Sequence, residues 1–118
     1  MGLALIVHGG AGAPDAAEHD ERRAAVGRAL EAGWARIGES ALEAVIAAVR
    51  QMEDEPYLNA GIGACLNSEG EIELDAGVME GTDLRAGAVG AVKDVRHPVD
   101  LARAILILIG GDFSGGAA

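Results

Sequence analysis

Cysteine occurs once in the 118 residues, at Cys65, so the chain has no internal disulfide to build on. Aromatic residues are nearly absent: Trp34, Tyr57 and Phe113 are the only three. That leaves no stacking platform for bases, and the core must be packed with Ala, Val, Leu and Ile. Long hydrophobic runs are missing too, the longest being residues 104–109, far short of what crosses a bilayer. Basic residues are scarce, 9 Lys and Arg against 19 Asp and Glu, giving a formal net charge of −10. Such a balance argues against nucleic acid and anionic membranes as partners and reads as acidic surface. The start, Met1-Gly2-Leu3-Ala4, carries neither the basic region nor the cleavage site of a signal peptide, so a cytoplasmic location is expected. Half the residues are hydrophobic, enough for the core of one domain over residues 1–118.

What is abundant is glycine, and it sits in informative places. Leu3-Ala4-Leu5-Ile6-Val7 is an apolar run of strand length, predicted to be covered on both faces. It ends in His8-Gly9-Gly10-Ala11-Gly12, which admits three readings. It can form an oxyanion hole, although no Gly-x-Ser-x-Gly elbow follows; it can cradle phosphate, although the Lys-Ser/Thr ending of a P-loop is missing; or it is a plain strand-ending turn. His8 reads as a structural histidine, since nothing pairs it with a nucleophile.

A helix follows, with Val26, Ala29, Leu30, Gly33, Trp34 and Ile37 as its apolar stripe and Gly38 as its end. Ser40 and Glu43 form a capping box for a second helix, whose stripe is Leu42, Val45, Val49 and Met52. Glu53, Asp54 and Glu55 lead to Pro56. Three adjacent carboxylates invite a divalent-metal reading, but a solvated helix end is preferred, because neighbours on a helix point to different sides.

Residues 57–65 form a glycine-punctuated loop with one amide side chain, Asn59. Asn67 to Gly70 carries turn chemistry, and Glu71, Glu73 and Asp75 alternate with Ile72, Leu74 and Ala76 as a β-hairpin strand should. Residues 81–84 make another turn, residues 86–92 a strand of small residues, and Pro98 opens a helix through Arg103. Without further context, Asn59 is a loop asparagine bonding its own backbone.

Several ordered motifs now point the same way: the Asn-Ala-Gly-x-Gly loop, the Leu-Asn-x-x-Gly-x-x-Glu-x-Asp-Ala segment and Met79-Glu80-Gly81. With them stand His8-Gly9-Gly10-Ala11-Gly12, Ser40-Ala41-Leu42-Glu43-Ala44-Val45, Ala86-Gly87-Ala88-Val89, and Pro98, Leu101, Ala102 and Arg103. Together they resemble the plant-type L-asparaginases, or isoaspartyl peptidases, of the N-terminal-nucleophile (Ntn) hydrolases, over nearly the whole chain. The resemblance implies an α+β fold: half of a four-layer αββα sandwich, completed by a β subunit. It implies a precursor that cuts itself before a threonine, whose free amine then serves as base for its own hydroxyl. This chain matches the first, or α, subunit, and an (αβ)2 assembly acting on L-asparagine or isoaspartyl dipeptides follows.

By the same resemblance, Asn59 supports catalysis, Gly9 and Gly10 lie beside the nucleophile, and no organic cofactor is needed. A structural sodium ion is implied on the main-chain carbonyls of Met52, Glu53, Glu55, Leu58, Ala60 and Ile62. Thr82, the sole threonine, matches the body of the first subunit and is not the nucleophile. Ser114 mimics a Gly-flanked cleavage site but has too little chain after it, and reads as part of a small-residue tail. Two departures stand out. His97 occupies the place of the family's Asn before Pro98, and Ala104-Ile105 runs straight into an apolar strand where the family carries several more residues, commonly including Thr-Pro-His. The join from Ile37 to Ser40 is also short. Those departures keep open a non-catalytic homologue acting as a binding or regulatory module, and, more distantly, an unrelated glycine-loop ligand binder.

Overall fold

The computed structural model describes residues 2–112, with side-chain environments through residue 109. After a 3-10 turn at Ala16–Glu18 come α1 (His19–Trp34), α2 (Ala41–Glu53), β1 (Leu74–Glu80), β2 (Arg85–Val92) and α3 (Pro98–Asp112). α1 lies on α2, α3 lies across both strands, and α2 bridges the two groups by touching α3 and β1.

Backbone can approach backbone wherever side chains are small, and the α1–α2 contact uses this. Ala25, Ala29 and Gly33 are the buried residues of α1, spaced one turn apart, and Gly33 meets Ala44 and Ala48 of α2. A Cβ on Gly33 would lie 2.8 Å from the Ala44 carbonyl oxygen. The predicted stripe therefore needs correction: Leu30 and Trp34 are exposed, and α1 ends at Trp34, one turn before Gly38. Tight turns over residues 35–39 span the short join.

α2 starts as expected, the Ser40 Oγ accepting from the Glu43 amide at 3.0 Å. The Glu43 carboxylate turns instead to Arg36 and Arg103. Leu42 and Val49 of the expected stripe do pack against the core, but Ile46 is its fully buried member and Val45 is exposed. The core is small: Ile46, Val78, Val99, Ala102 and Leu106, with Leu42, Val49 and Ala76 packed at its edge.

The hairpin is displaced from where turn chemistry suggested it. Asn67 to Gly70 does turn, with the Asn67 amide donating to the Glu71 carbonyl at 2.8 Å and the Asn67 Oδ1 accepting from Glu69 and Glu71. No strand flanks that turn. The ladder is antiparallel β1–β2 around residues 81–84, with Gly77 opposite Ala88 and Met79 opposite Ala86. Gly90 and Ala91 together oppose Asp75, a bulge that holds Ala91 at φ 51°; the Asp75 Oδ1 accepts from the Ala91 amide at 2.7 Å. β2 reaches α3 through Gly87, where a Cβ would stand 2.2 Å from the Ala102 carbonyl oxygen.

Two further expectations are corrected. Residues 106–109 are not a strand but a continuation of α3. A short apolar run reads equally as helix or strand, and no turn residue interrupts it. Residues 3–7 lie in no helix or strand among the described residues, and Leu3 and Ile6 are exposed. Leu5 packs against Gly33, and both Leu5 and Val7 are half-buried. The outer face of the hairpin, Gly77, Met79, Ala86, Ala88 and Gly90, is likewise open. No described helix is long and apolar enough to cross a membrane.

Candidate active-site loop

The loop after α2 is built by backbone folding onto backbone. The Ile62 amide returns to the Glu53 carbonyl at 2.9 Å, Leu58 to Glu55 at 3.3 Å and Ala60 to Leu58 at 2.9 Å. Such turns leave no room for side chains inside. A Cβ on Gly61 would lie 2.2 Å from the Glu53 carbonyl oxygen, and one on Gly63 would lie 2.4 Å from that of Pro56 and 2.5 Å from that of Leu58.

Asn59 sits exposed on the outside of these turns. Its Oδ1 accepts from the Cys65 amide at 2.9 Å, closing the loop as an asparagine that bonds its own backbone does. Its Nδ2 meets no acceptor among the described residues, so one donor remains for another group. The side chain lines a cleft of about 330 Å³ with Glu53, Glu73 and Asp75. The glycine turn from the N-terminal segment lies alongside. Gly9 fits against Leu58, with 3.6 Å between a built Cβ and Leu58 Cδ2, and against Val26 at 2.6 Å. Gly10 has φ 115°, a conformation open to glycine, and donates its amide to His8 Nδ1 at 3.1 Å. His8 is thereby a structural histidine. The fold thus brings Gly9 against Leu58 of the Asn59 loop, 49 residues further along the sequence, while nothing lies within 4 Å of a Cβ built on Gly10. Thr82 is exposed in the turn between β1 and β2, and Ser114 lies outside the described residues.

The acidic trio is neither a solvated helix end nor a metal cluster. Glu53 and Glu55 are 2% and 4% exposed. Glu55 accepts a forked pair of bonds from Arg28, both 2.7 Å, and a third from Gln51 at 2.9 Å. Glu53 accepts from the Val99 amide at 3.0 Å and from His97 Nδ1 at 3.1 Å. Asp54 takes Arg96 at 3.0 Å. Among the described residues no group of three or more His, Cys, Asp or Glu is placed to hold a metal. Sequence missed these partners because Arg28 is 27 positions before Glu55 and His97 is 44 after Glu53.

The two buried carboxyls are displaced in opposite directions. Burial raises that of Glu53, with Val99 and His97 pulling back. The Arg28 bond holds that of Glu55 below its ordinary value, against its own desolvation. A depressed carboxyl contributes stability above its unfolded value and loses it as pH falls through the folded one. Glu55→Gln is therefore expected to lower the denaturant midpoint most at neutral pH, with the gap to the parent closing on acidification below about 4. A gap independent of pH in urea titrations would detach the ionised pair from stability.

A second cleft, about 460 Å³, escaped sequence reasoning altogether. It is lined by Arg36, Arg50 and Arg103 together with His97. Each guanidinium already faces a carboxylate: Arg36 meets Glu39, Arg50 meets Asp100 at 2.9 Å, and Arg103 meets Glu43. That pairing makes the cleft part of the scaffold.

Comparison with known proteins converges on one group. A family model described as asparaginase matches residues 1–108. A probable isoaspartyl peptidase/L-asparaginase of Drosophila melanogaster is 43% identical over 121 residues, covering 97% of this chain and 36% of the relative. The isoaspartyl peptidase/L-asparaginase of Homo sapiens is 43% identical over 109 residues, 90% of this chain and 35% of the relative. That of Danio rerio is 44% identical over 104 residues, 86% and 34% respectively. The chain thus spans about a third of the length of the curated relatives it matches.

Proposed function

The chain belongs to the asparaginase family, and from that membership we propose that it is the α subunit of an N-terminal-threonine amidohydrolase matured by self-cleavage. The observation that carries this reading is the meeting of the two motif loops, Gly9 against Leu58, the residue before Asn59. A nucleophilic threonine at the head of a partner β chain would act across that junction. Its hydroxyl attacks the side-chain amide of L-asparagine or the β-peptide bond of an isoaspartyl dipeptide, its own α-amine taking the proton. Ammonia or an amine leaves with that proton, and water then releases aspartate from the acyl-enzyme. Asn59 offers Nδ2 to orient the hydroxyl or the water, without any change of charge.

The partner also has a structural task. The open face of the hairpin carries Gly77, Ala86, Ala88 and Gly90, flat enough for a second sheet, and residues 3–7 await ladder partners. A four-layer αββα sandwich supplies both. The pair would then assemble as (αβ)2 in the cytoplasm.

A structural sodium ion is part of the same proposal, supported by backbone oxygens in the loop. The Glu53 carbonyl oxygen lies 2.2 Å from a Cβ built on Gly61, those of Pro56 and Leu58 lie 2.4 and 2.5 Å from one built on Gly63, and oxygen donors suit a hard cation. Met52, Glu53, Glu55, Leu58, Ala60 and Ile62 would hold it through their carbonyls, and its contribution is to stiffen the loop. Melting in sodium chloride is expected to exceed that in lithium chloride at equal ionic strength; equal melting would remove the ion.

The reading is tested with the full-length protein and two substrates. Release of ammonia from L-asparagine and of free amino acid from a β-aspartyl dipeptide is expected. Inertness toward both, in folded and processed protein, would refute it.

A further inference from the structure

Glu53 joins three parts of the fold with one residue. It is the last residue of α2 and is 2% exposed. Its carboxylate crosses to α3, accepting from the Val99 amide in the first turn at 3.0 Å and from His97 Nδ1 at 3.1 Å. Its main-chain carbonyl works on the opposite side, accepting from the Ile62 amide at 2.9 Å, and Gly61 packs directly upon it. The same residue lines the cleft that Asn59 enters.

Burying a carboxylate is unfavourable, and an apolar side chain of similar size would pack there at lower cost. What an apolar side chain cannot do is satisfy the Val99 and His97 donors while fixing the end of α2 against α3. Three bonds in different directions leave the Glu53 backbone little freedom, and the Asn59 loop hangs from that backbone. From this geometry we infer that Glu53, with His97 as its clamp, is a positioning residue: it fixes the Asn59 loop to the first turn of α3 and so presets the Asn59 amide for the reaction. The inference rests on the amidohydrolase reading of Asn59.

The test is a double-mutant cycle in the full-length protein, with steady-state kinetics on L-asparagine and amide hydrogen exchange. Glu53→Gln keeps an acceptor for Val99 and loses the charge-assisted bond. It is expected to lower kcat about tenfold with KM within about twofold. Exchange at the Ile62 and Cys65 amides should quicken, while the β1–β2 amides stay protected. In the Asn59→Ala background the same change is expected to cost nothing further, since both act through one group. Multiplying effects in the double variant, or unchanged Ile62 and Cys65 exchange, would overturn the inference. Should Glu53→Gln fail to fold, His97→Ala cuts the clamp more gently, leaving the Glu53–Val99 bond. About a threefold loss of kcat with faster Cys65 exchange is expected, and no change in either would refute the link. The two readings fail differently. If Asn59→Ala is slow and Glu53→Gln is not, this inference falls alone; if Asn59→Ala is as fast as the parent, the reading of Asn59 falls and takes this one with it.

Discussion

Alanine at position 61 is expected to destabilise the protein by about 3 kcal/mol or more, at the upper end for forcing a carbon into a filled interior. The new Cβ would stand 2.2 Å from the carbonyl oxygen of Glu53 and 2.8 Å from its carbonyl carbon. Those neighbours are main chain, so no rotamer change relieves the clash. The loop must open, the 2.9 Å bond from the Ile62 amide is lost, and the buried Glu53 anchor is disturbed with it. Gly27 provides the control. It lies inside α1 with nothing within 4 Å of a built Cβ, so Gly27→Ala is expected to be neutral or to stabilise by about 0.5–1 kcal/mol. Urea unfolding of both variants beside the parent measures the difference, and equal midpoints for the two would contradict the packing described for the loop.

Asn59→Ala is expected to lower kcat about 100-fold, the loss typical of removing one preorganised donor from a reacting centre. Stability should change by only about 1 kcal/mol, because the side chain is exposed and the bond lost is the one from the Cys65 amide. Asn59→Asp separates the two ends of the amide. It keeps an acceptor for Cys65 but has no Nδ2 donor, so it should match the alanine variant in rate and the parent in stability. Self-cleavage of the precursor should slow in both. Turnover within about twofold of the parent in the alanine variant would reduce Asn59 to a loop fastener.

Local chemistry was legible in the sequence wherever a residue acts on near neighbours. Ser40 caps α2, Asn67 makes its turn, and the residues at 61 and 63 are glycine because the loop folds on itself. What escaped depends on partners far along the chain. Glu53 and Glu55 read as solvated because charges usually are, yet Val99, His97 and Arg28 come from distant segments to enclose them. Residues 3–7 have a strand's composition without a strand's partner among the described residues, since a ladder needs two strands and composition describes one. The run at 106–109 was ambiguous for the opposite reason: length and continuity with Pro98 decide for helix, and neither is visible in four apolar residues. The candidate site was legible as motif more than as geometry. That Gly9 rests on Leu58 is a fact of the fold alone.

The proposed function makes this chain one side of an active site whose nucleophile heads a second polypeptide cut from the same precursor. Denaturing intact-mass spectrometry with N-terminal sequencing of the purified full-length product tests it most directly. Two polypeptides are predicted, one containing this sequence and the other beginning with threonine, their masses summing to that of the precursor plus one water. A single uncut polypeptide that nevertheless hydrolyses L-asparagine would contradict the account, because no N-terminal threonine would then exist to carry the reaction.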